Sequence, residues 1–158
     1  NSRQLANGNY LVTHYGRQKV CEYDSQGKCV WEASAPGGPH TAVRLPNGHT
    51  LIATGDLRKD PCLIEVDAQA QVVWELSNRD LPDAPLRFLT GFHRLPNGNT
   101  LITNWLGHGQ FGKGPHLLEV TPDKRVVWSY ANHTDMRTIA AVQVLDADGQ
   151  ALPGETLR

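Results

Sequence analysis

The side chains best suited to contact a ligand are concentrated in the irregular segment 104–116, which also carries four glycines. Aromatic, imidazole and amide groups occur there together: Asn104, Trp105, His108, Phe111 and His116. Two other irregular segments add a guanidinium each, Arg58 and Arg87. Aromatic rings and arginines are the groups that most often anchor a bound partner. We therefore expect these residues to bind a ligand.

A second group of polar side chains lies within apolar, strand-like runs. His40 and His93 are the candidates for a nucleophile or general base, if the chain is catalytic. Arg44 and Arg94 occupy one repeated position, where they could bind an anion or hydrogen-bond neighbouring carbonyls. No serine–histidine–aspartate order, acidic pair or adjacent cysteine and histidine is readable. The sequence thus leaves open whether the chain is an enzyme.

The chain has three cysteines, at positions 21, 29 and 62. An odd count does not make a disulfide framework, and no closely spaced pair suggests zinc. We expect Cys21 to fill the core, with a Cys21–Cys29 disulfide across a hairpin as the less favoured alternative. No metal site and no cofactor are predicted.

The sequence of one short sheet unit occurs three times along the chain. The copies open at Leu5, Leu45 and Leu95, each followed two residues later by Asn-Gly and then by a β-branched, apolar run. Each copy continues through a third strand that contains glutamate, a tight polar turn, and a last strand that ends in tryptophan. Strands recurring at about 40–50 residues are typical of propellers. Asn-Gly favours a two-residue hairpin turn in which both residues take positive φ.

The repeat predicts an all-β fold, a β-propeller, forming a single domain over residues 1–158. The blades are expected at about 2–34, 40–77 and 89–130, with a strand at 138–146 that opens or closes a further blade. The variable connections lie between the second and third strands and between blades, so they share one face of a propeller. Variable loops on a rigid scaffold usually carry the binding residues.

Three blades and a strand do not close a ring of the usual size, about 4–8 blades. Two outcomes remain open. A homodimer could complete the ring, each chain donating its last strand to its partner's first blade, or the ring could include a further part of the protein. Because the chain begins at Asn1 rather than at methionine, we expect it to be processed or to be a fragment.

The charge balance excludes some partners. Fifteen lysines and arginines oppose 16 acidic residues, which leaves a net charge of -1. Such a balance does not favour nucleic acid. No apolar run approaches the ~18 residues that span a bilayer, so no membrane span is predicted.

The blade pattern resembles the PQQ-like, or quinoprotein-type, propeller superfamily. The residues that carry the likeness are Leu-Pro-Asn-Gly-Asn-Thr-Leu-Ile from Leu95, Glu-Val-Asp at 65–67 and Val-Val-Trp-Glu at 72–75. The third copy also resembles the C-terminal half of exported bacterial propellers. The likeness implies an extracytoplasmic scaffold that binds a small molecule, glycan or protein and does not imply bound PQQ.

A weaker resemblance concerns the arylsulfotransferase propellers. In that family Asn-Gly-Asn blades surround a catalytic histidine, with arginine and asparagine near the channel. This implies an alternative, channel-centred enzyme in which His93, Arg94 and Asn104, or His40 and Arg44, fill those positions. The sequence departs from the family because Arg94 follows His93 where the family has aspartate.

Overall fold

The computed structural model describes residues 1–55 and 60–152. Within them the chain forms three four-stranded antiparallel sheets, each built from four consecutive strands. The first blade contains β1 (Ser2–Gln4), β2 (Tyr10–His14), β3 (Lys19–Tyr23) and β4 (Cys29–Ser34). The second contains β5 (Pro39–Arg44), β6 (Thr50–Thr54), β7 (Leu63–Val66) and β8 (Val72–Leu76). The third contains β9 (Leu89–Arg94), β10 (Thr100–Asn104), β11 (Leu117–Val120) and β12 (Val126–Tyr130).

The second blade is packed between the other two. Successive residues of a strand point to opposite faces. Leu51 and Leu63 accordingly join one apolar cluster with the third blade, and Ile52 and Ile64 join another with the first blade. All four are fully buried. The first strands of neighbouring blades also contact each other. The blades therefore stack face to face around their first strands, and the predicted all-β propeller architecture is confirmed.

The hairpin turns within the blades differ from the predicted type. Gly8, Gly48 and Gly98 have φ of 87°, 85° and 88°, whereas the asparagine before each glycine does not have positive φ. Each glycine N–H donates to the leucine carbonyl three residues earlier. This is a type I turn followed by a glycine bulge. The asparagine side chain instead accepts the N–H two residues later, as Asn47 Oδ1 does from His49 at 3.0 Å.

The tryptophan of each outer strand reaches the next blade. Trp31 Nε1 donates to the Ala68 carbonyl at 3.0 Å, and Trp74 Nε1 donates to the Pro122 carbonyl at 2.8 Å. Both acceptors lie at the same position of the turn between the third and fourth strands. Trp128 has no such acceptor in the described part of the chain and is 46% exposed. The indole contact therefore runs in one direction, from each blade to its successor.

Ion pairs link the same neighbouring blades, but here the donor lies on the later blade. Arg44 of the second blade donates to Glu22 of the first at 2.8 Å, and Arg94 of the third donates to Glu65 of the second at 3.0 Å. Arg44 also lies over the Trp31 ring, 4.6 Å from its centroid. These partly buried, charge-assisted contacts fix neighbouring blades at the end where the short turns lie.

Residues 138–146 differ from the predicted strand. Only Leu145 forms a β-bridge, with Ala151 across a turn closed by Gly149, whose φ is 80°. The preceding residues pack against β9, where Val144 N donates to His93 Nδ1 at 3.3 Å. A strand needs a neighbouring strand to satisfy its backbone groups, and the described residues provide none here.

The innermost position of the first blade is already filled. β1 pairs with β2 from Ser2 opposite Val12 to Gln4 opposite Tyr10. A strand donated by a partner to this position would have to displace β1. No helix in residues 1–55 and 60–152 is long and apolar enough to cross a membrane.

Candidate functional site

The connections between β8 and β9 and between β10 and β11 meet at one end of the blades, together with the described residues of the β6–β7 connection. We call this end the long-loop face, and the end with the hairpin turns the short-turn face. A cavity of about 440 Å³ opens there between the second and third blades. Its lining residues are Asp60, Pro61, Asn78, Leu86, Arg87, Phe88, Trp105, Gly107, His108 and Gln110. Its volume lies in the usual range for small-ligand pockets, about 300–1,000 Å³.

The Asn104 side chain links the β8–β9 connection to the β10–β11 connection by hydrogen bonds. Its Oδ1 accepts the Arg87 N–H at 2.7 Å, and its Nδ2 donates to the Pro85 and Pro115 carbonyls at 3.2 and 3.0 Å. The side chain is fully buried and its hydrogen bonds are all to backbone. Asn104 therefore shapes the pocket wall rather than facing a ligand.

A second asparagine closes the connection that precedes β9. Asn78 exchanges two hydrogen bonds with the backbone of Leu86, at 2.6 and 3.2 Å. The Trp105 N–H then donates to the Phe88 carbonyl at 2.8 Å. Because the backbone is held on both sides, the side chains of Arg87 and Phe88 project from a fixed support.

Phe88 is the centre of an aromatic cluster that joins all three blades. Its ring makes edge contacts with Trp105 and His40, each at 5.5 Å between centroids, and with His108 at 6.0 Å. It stacks on Tyr15 of the first blade at 6.2 Å. Edge and offset-stacked arrangements are those that aromatic pairs prefer. The cluster forms a rigid apolar wall on the long-loop face.

Two glycines allow the rings to pack this closely. A Cβ on Gly107 would lie 1.9 Å from the Trp105 indole, and one on Gly55 would lie 2.6 Å from the Phe88 ring. No side chain fits at either position unless the ring moves. The indole of Trp105 therefore lies directly on the Gly107 backbone.

Arg87 supplies the positive charge of the pocket. Its Nε is buried and has no hydrogen-bond partner among the described residues. No carboxylate of residues 1–55 and 60–152 is found in an ion pair with it, although Asp60 lines the same cavity. Hydrogen bonds to charged groups contribute about 1.5–3 kcal/mol, so an anionic ligand that reaches the guanidinium would gain binding energy.

His40 lies at the long-loop end of β5 with a defined tautomer. Its Nδ1 is 3.0 Å from the Thr90 carbonyl, which can only accept, so Nδ1 carries the proton and Nε2 keeps its lone pair. Burial lowers the pKa of His40 below its ordinary value of 6.5. The ring is therefore neutral at pH 7.

His93 and His116 lie apart from the open cavity. Both are fully buried. His93 accepts from the backbone of Val144, as described above. His116 Nδ1 accepts from Asn132 N at 3.3 Å, and its Nε2 lies 3.4 Å from the Arg137 carbonyl. Each of these rings therefore ties a later segment of the chain to the third blade.

The remaining sequence-predicted residues are dispersed. Arg44 and Arg94 lie at the short-turn face in the ion pairs between blades. Phe111 is 50% exposed and lies beside Arg137, 5.8 Å from ring centroid to guanidinium carbon. Arg58 lies outside the described residues. Of the predicted ligand-binding residues, the structure brings Arg87, Trp105 and His108 together at the cavity.

Sequence reasoning missed Phe88 and Tyr15 as members of the site. Phe88 directly precedes β9, where an apolar residue reads as the start of a strand. Tyr15 belongs to the short 3₁₀ turn Tyr15–Arg17. Neither occupies a position shared by the repeats, and that departure from the repeat is the signal that could have identified them.

Comparison with known proteins supports the fold. No family model and no curated protein matches the chain. Among solved structures, a protein of unknown function from Bacteroides caccae is 28% identical with a TM-score of 0.77, over 89% of this chain and 52% of its own. A streptogramin B lyase is 15% identical with a TM-score of 0.65, over 94% of this chain and 45% of its own.

A third similar structure is the extracellular domain of a hybrid two-component system from B. thetaiotaomicron. It is 16% identical with a TM-score of 0.63, over 95% of this chain and 19% of its own. The chain thus spans about half the length of the first two structures and a fifth of the third. The last two likenesses concern the fold alone.

Proposed function

We propose that the chain is a non-catalytic propeller module that binds a small molecule or a sugar residue on its long-loop face. The observation that carries the proposal is the cavity of about 440 Å³ lined by Trp105, Phe88 and Arg87. Its size suits a small molecule or one or two sugar rings better than a protein surface. A protein partner would have to insert one side chain or terminus.

The lining residues define the chemistry of the ligand. The aromatic wall accepts a flat apolar face, such as an aromatic ring or the C–H face of a sugar. The guanidinium of Arg87 can donate to a carboxylate or similar anion, because a planar fork of donors matches two oxygens. A ligand that combines both features, an aromatic acid or a uronic acid, fits best.

The test is a calorimetric titration with two acidic probes, 4-hydroxybenzoate and digalacturonate, and their uncharged counterparts benzyl alcohol and galactobiose. We expect one acidic probe to bind at least about tenfold more tightly than its counterpart, because hydrogen bonds to charged groups contribute about 1.5–3 kcal/mol. Trp105→Ala should weaken binding of that probe. Arg87→Gln should remove the preference for the acid.

Two features keep this test specific. The hydrogen bond from the Arg87 N–H to Asn104 belongs to the backbone, so Arg87→Gln leaves the loop fastened. Arg125→Gln is the matched control, because Arg125 is exposed and pairs with Asp123 at the short-turn face. Failure of all four probes to bind, or an equal loss in the Arg125 variant, would count against the pocket as the binding site.

A second candidate function rests on His40. Its fixed tautomer leaves Nε2 as an acceptor beside the aromatic cluster, which is the arrangement a general base needs. The activity would be of the arylsulfotransferase kind that the sequence resemblance implies. The assay is turnover of 4-nitrophenyl sulfate with a phenol acceptor. Its rate should fall as the pH drops through a pKa below 6.5 and should be lost in His40→Gln. No turnover in the wild-type assembly would end this candidate.

We also propose that further blades complete the ring, from a second copy of the chain or from another part of the protein. Trp128 and Glu119 support this. Trp128 occupies the repeat position of Trp74, and Glu119 that of Glu65, and both Trp74 and Glu65 contact the next blade. Among the described residues no arginine pairs with Glu119. The mass of the assembled particle distinguishes the two sources. Twice the chain mass identifies a second copy.

We further propose an extracytoplasmic, bacterial location and a PQQ-like type of repeat, as the sequence resemblance implies. One similar structure is itself an extracellular domain, and the indole contact from each blade to the turn of the next agrees with a quinoprotein-type repeat. Recovery of the protein in the cytosolic fraction of its host would contradict the location.

A further inference from the structure

The first blade carries two thiols and a carboxylate that converge on one face. Val20 and Glu22 of β3 point to the second blade, where Val20 joins the shared core and Glu22 pairs with an arginine. Cys21 lies between them and so points to the opposite face. Glu32 is the register partner of Cys21 on β4 and therefore shares that face.

A bulge brings the second thiol to the same place. The β3–β4 register shifts between Glu22 and Tyr23, so that Tyr23 lies opposite Cys29. The Cys21 Sγ, the Cys29 Sγ and a Glu32 carboxylate oxygen all lie within 4.8 Å of one another. Bulges often re-aim a side chain in this way.

The spacing fits a tetrahedral metal ion. Cys21 Sγ lies 3.6 Å from Glu32 Oε2. Around zinc, with Zn–S of about 2.3 Å and Zn–O of about 2.0 Å, a tetrahedral sulfur–oxygen edge is about 3.5 Å. The observed separation is thus close to that of two ligands already in place.

The charge also suits a dication. Two thiolates and one carboxylate carry three negative charges, and Lys19 forms an ion pair with Glu32 Oε2. The remaining two charges are those that a divalent ion neutralises. A carboxylate oxygen has two lone pairs, so Oε2 can bind the metal while it accepts from Lys19, and Lys19 would hold the carboxylate in orientation as an outer-shell partner.

We propose that Cys21, Cys29 and Glu32 form a Zn²⁺ site with water in the fourth position. Thiolates exclude Mg²⁺ and Ca²⁺ as preferred ions, and the mixed sulfur and oxygen set suits zinc better than Cu⁺. His14 shares this side of the blade but is hydrogen-bonded to Tyr23, with 2.9 Å between Nε2 and Oη. Three protein ligands and an open position are typical of zinc that contacts a further molecule.

The experiment is titration of the full chain with Co²⁺ as a spectroscopic substitute for zinc, anaerobically and after reduction with a phosphine. We expect one equivalent to bind, with visible bands of tetrahedral cobalt and a thiolate-to-cobalt charge-transfer band, and Zn²⁺ to displace it. In Cys29→Ser the charge-transfer band should fall to roughly half or vanish, because one of two thiolate ligands is lost. Lys19→Met should weaken Zn²⁺ binding about tenfold.

Two comparisons keep the result unambiguous. Cys62→Ala is the matched control. Cys62 is buried within the second blade, with 3.4 Å between its Sγ and Thr54 Oγ1. We expect the Co²⁺ spectrum of this variant to equal that of the wild type. Glu32→Gln should keep the charge-transfer band but lose tetrahedral geometry or affinity. The proposal is overturned if no charge-transfer band appears in the reduced protein, if Cys62→Ala removes it, or if Glu32→Gln binds both ions as the wild type does.

Discussion

The hydrogen bond from Trp74 to the following blade provides a sharp test of how the blades are held together. Trp74→Phe keeps an aromatic ring at the position but removes the Nε1 donor, 2.8 Å from the Pro122 carbonyl. The lost hydrogen bond contributes about 1 kcal/mol, and the smaller ring gives up apolar contact worth about 0.5–1 kcal/mol. We therefore expect the free energy of unfolding to fall by about 1.5–2 kcal/mol.

The assay is urea unfolding at a protein concentration at which light scattering shows single chains, so that no following blade covers Trp128. It is followed by circular dichroism, with the melting temperature as a second measure. For a chain of this size, 1 kcal/mol corresponds to about 2–4 °C, so the melting temperature should fall by about 3–8 °C. Trp128→Phe is the matched control, because Trp128 occupies the same repeat position and is 46% exposed. It should change the free energy of unfolding by less than about 0.5 kcal/mol. Equal losses in the two variants would refute the reasoning.

Three further predictions exchange glycine and alanine, the first with a control. Gly107→Ala places a Cβ 1.9 Å from the Trp105 indole and should displace that ring, with loss of ligand binding and of the near-ultraviolet dichroism of the cluster. Gly16→Ala, where nothing lies within 4 Å, should leave both unchanged. Gly27→Ala should destabilise the chain by about 1 kcal/mol in urea unfolding, because φ there is 77°. Ala70→Gly at the same position of the next blade, where φ is 61°, should instead stabilise it by about 0.5–1 kcal/mol.

The repeat in the sequence was sufficient to predict the blades, because Asn-Gly turns, β-branched apolar runs and the recurring tryptophan of the last strand all indicate the same sheet unit. It was not sufficient to predict the turn type. Asn-Gly is compatible with two hairpin geometries. The structure has the one with the bulge, in which the leucine N–H donates to the carbonyl of the residue after glycine. A strand at 138–146 was predicted as the first strand of a further, truncated copy of the repeat, and a truncated copy does not supply the pairing partner.

The candidate site was predicted only where it breaks the repeat. Trp105 and His108 lie in the one loop with an extra aromatic residue, and Arg87 lies in the longest connection between blades. Asn104 looked equally suitable as a ligand contact, but backbone carbonyls and an N–H occupy its side chain. Whether an amide faces solvent or backbone depends on loop conformation, which residue type does not determine.

The cysteines show a different limit of sequence reasoning. Cys21 and Cys29 are separated by seven residues, a spacing that matches no familiar metal motif. The thiols converge because a tight turn folds β3 back onto β4 and a bulge shifts the register. Glu32 then joins them from directly opposite Cys21. A one-residue change of register would send these side chains to opposite faces, so the cluster could not be predicted before the pairing was known.

The one-way indole contact gives a stack of blades a polarity. Each blade offers a donor on one side and a carbonyl acceptor on the other, so identical units can only be joined head to tail. Contacts of this kind either close into a rotationally symmetric ring or continue as an open filament. The curvature contributed by each blade decides between these assemblies, and a substitution that changes the angle between blades could turn a discrete particle into a fibre.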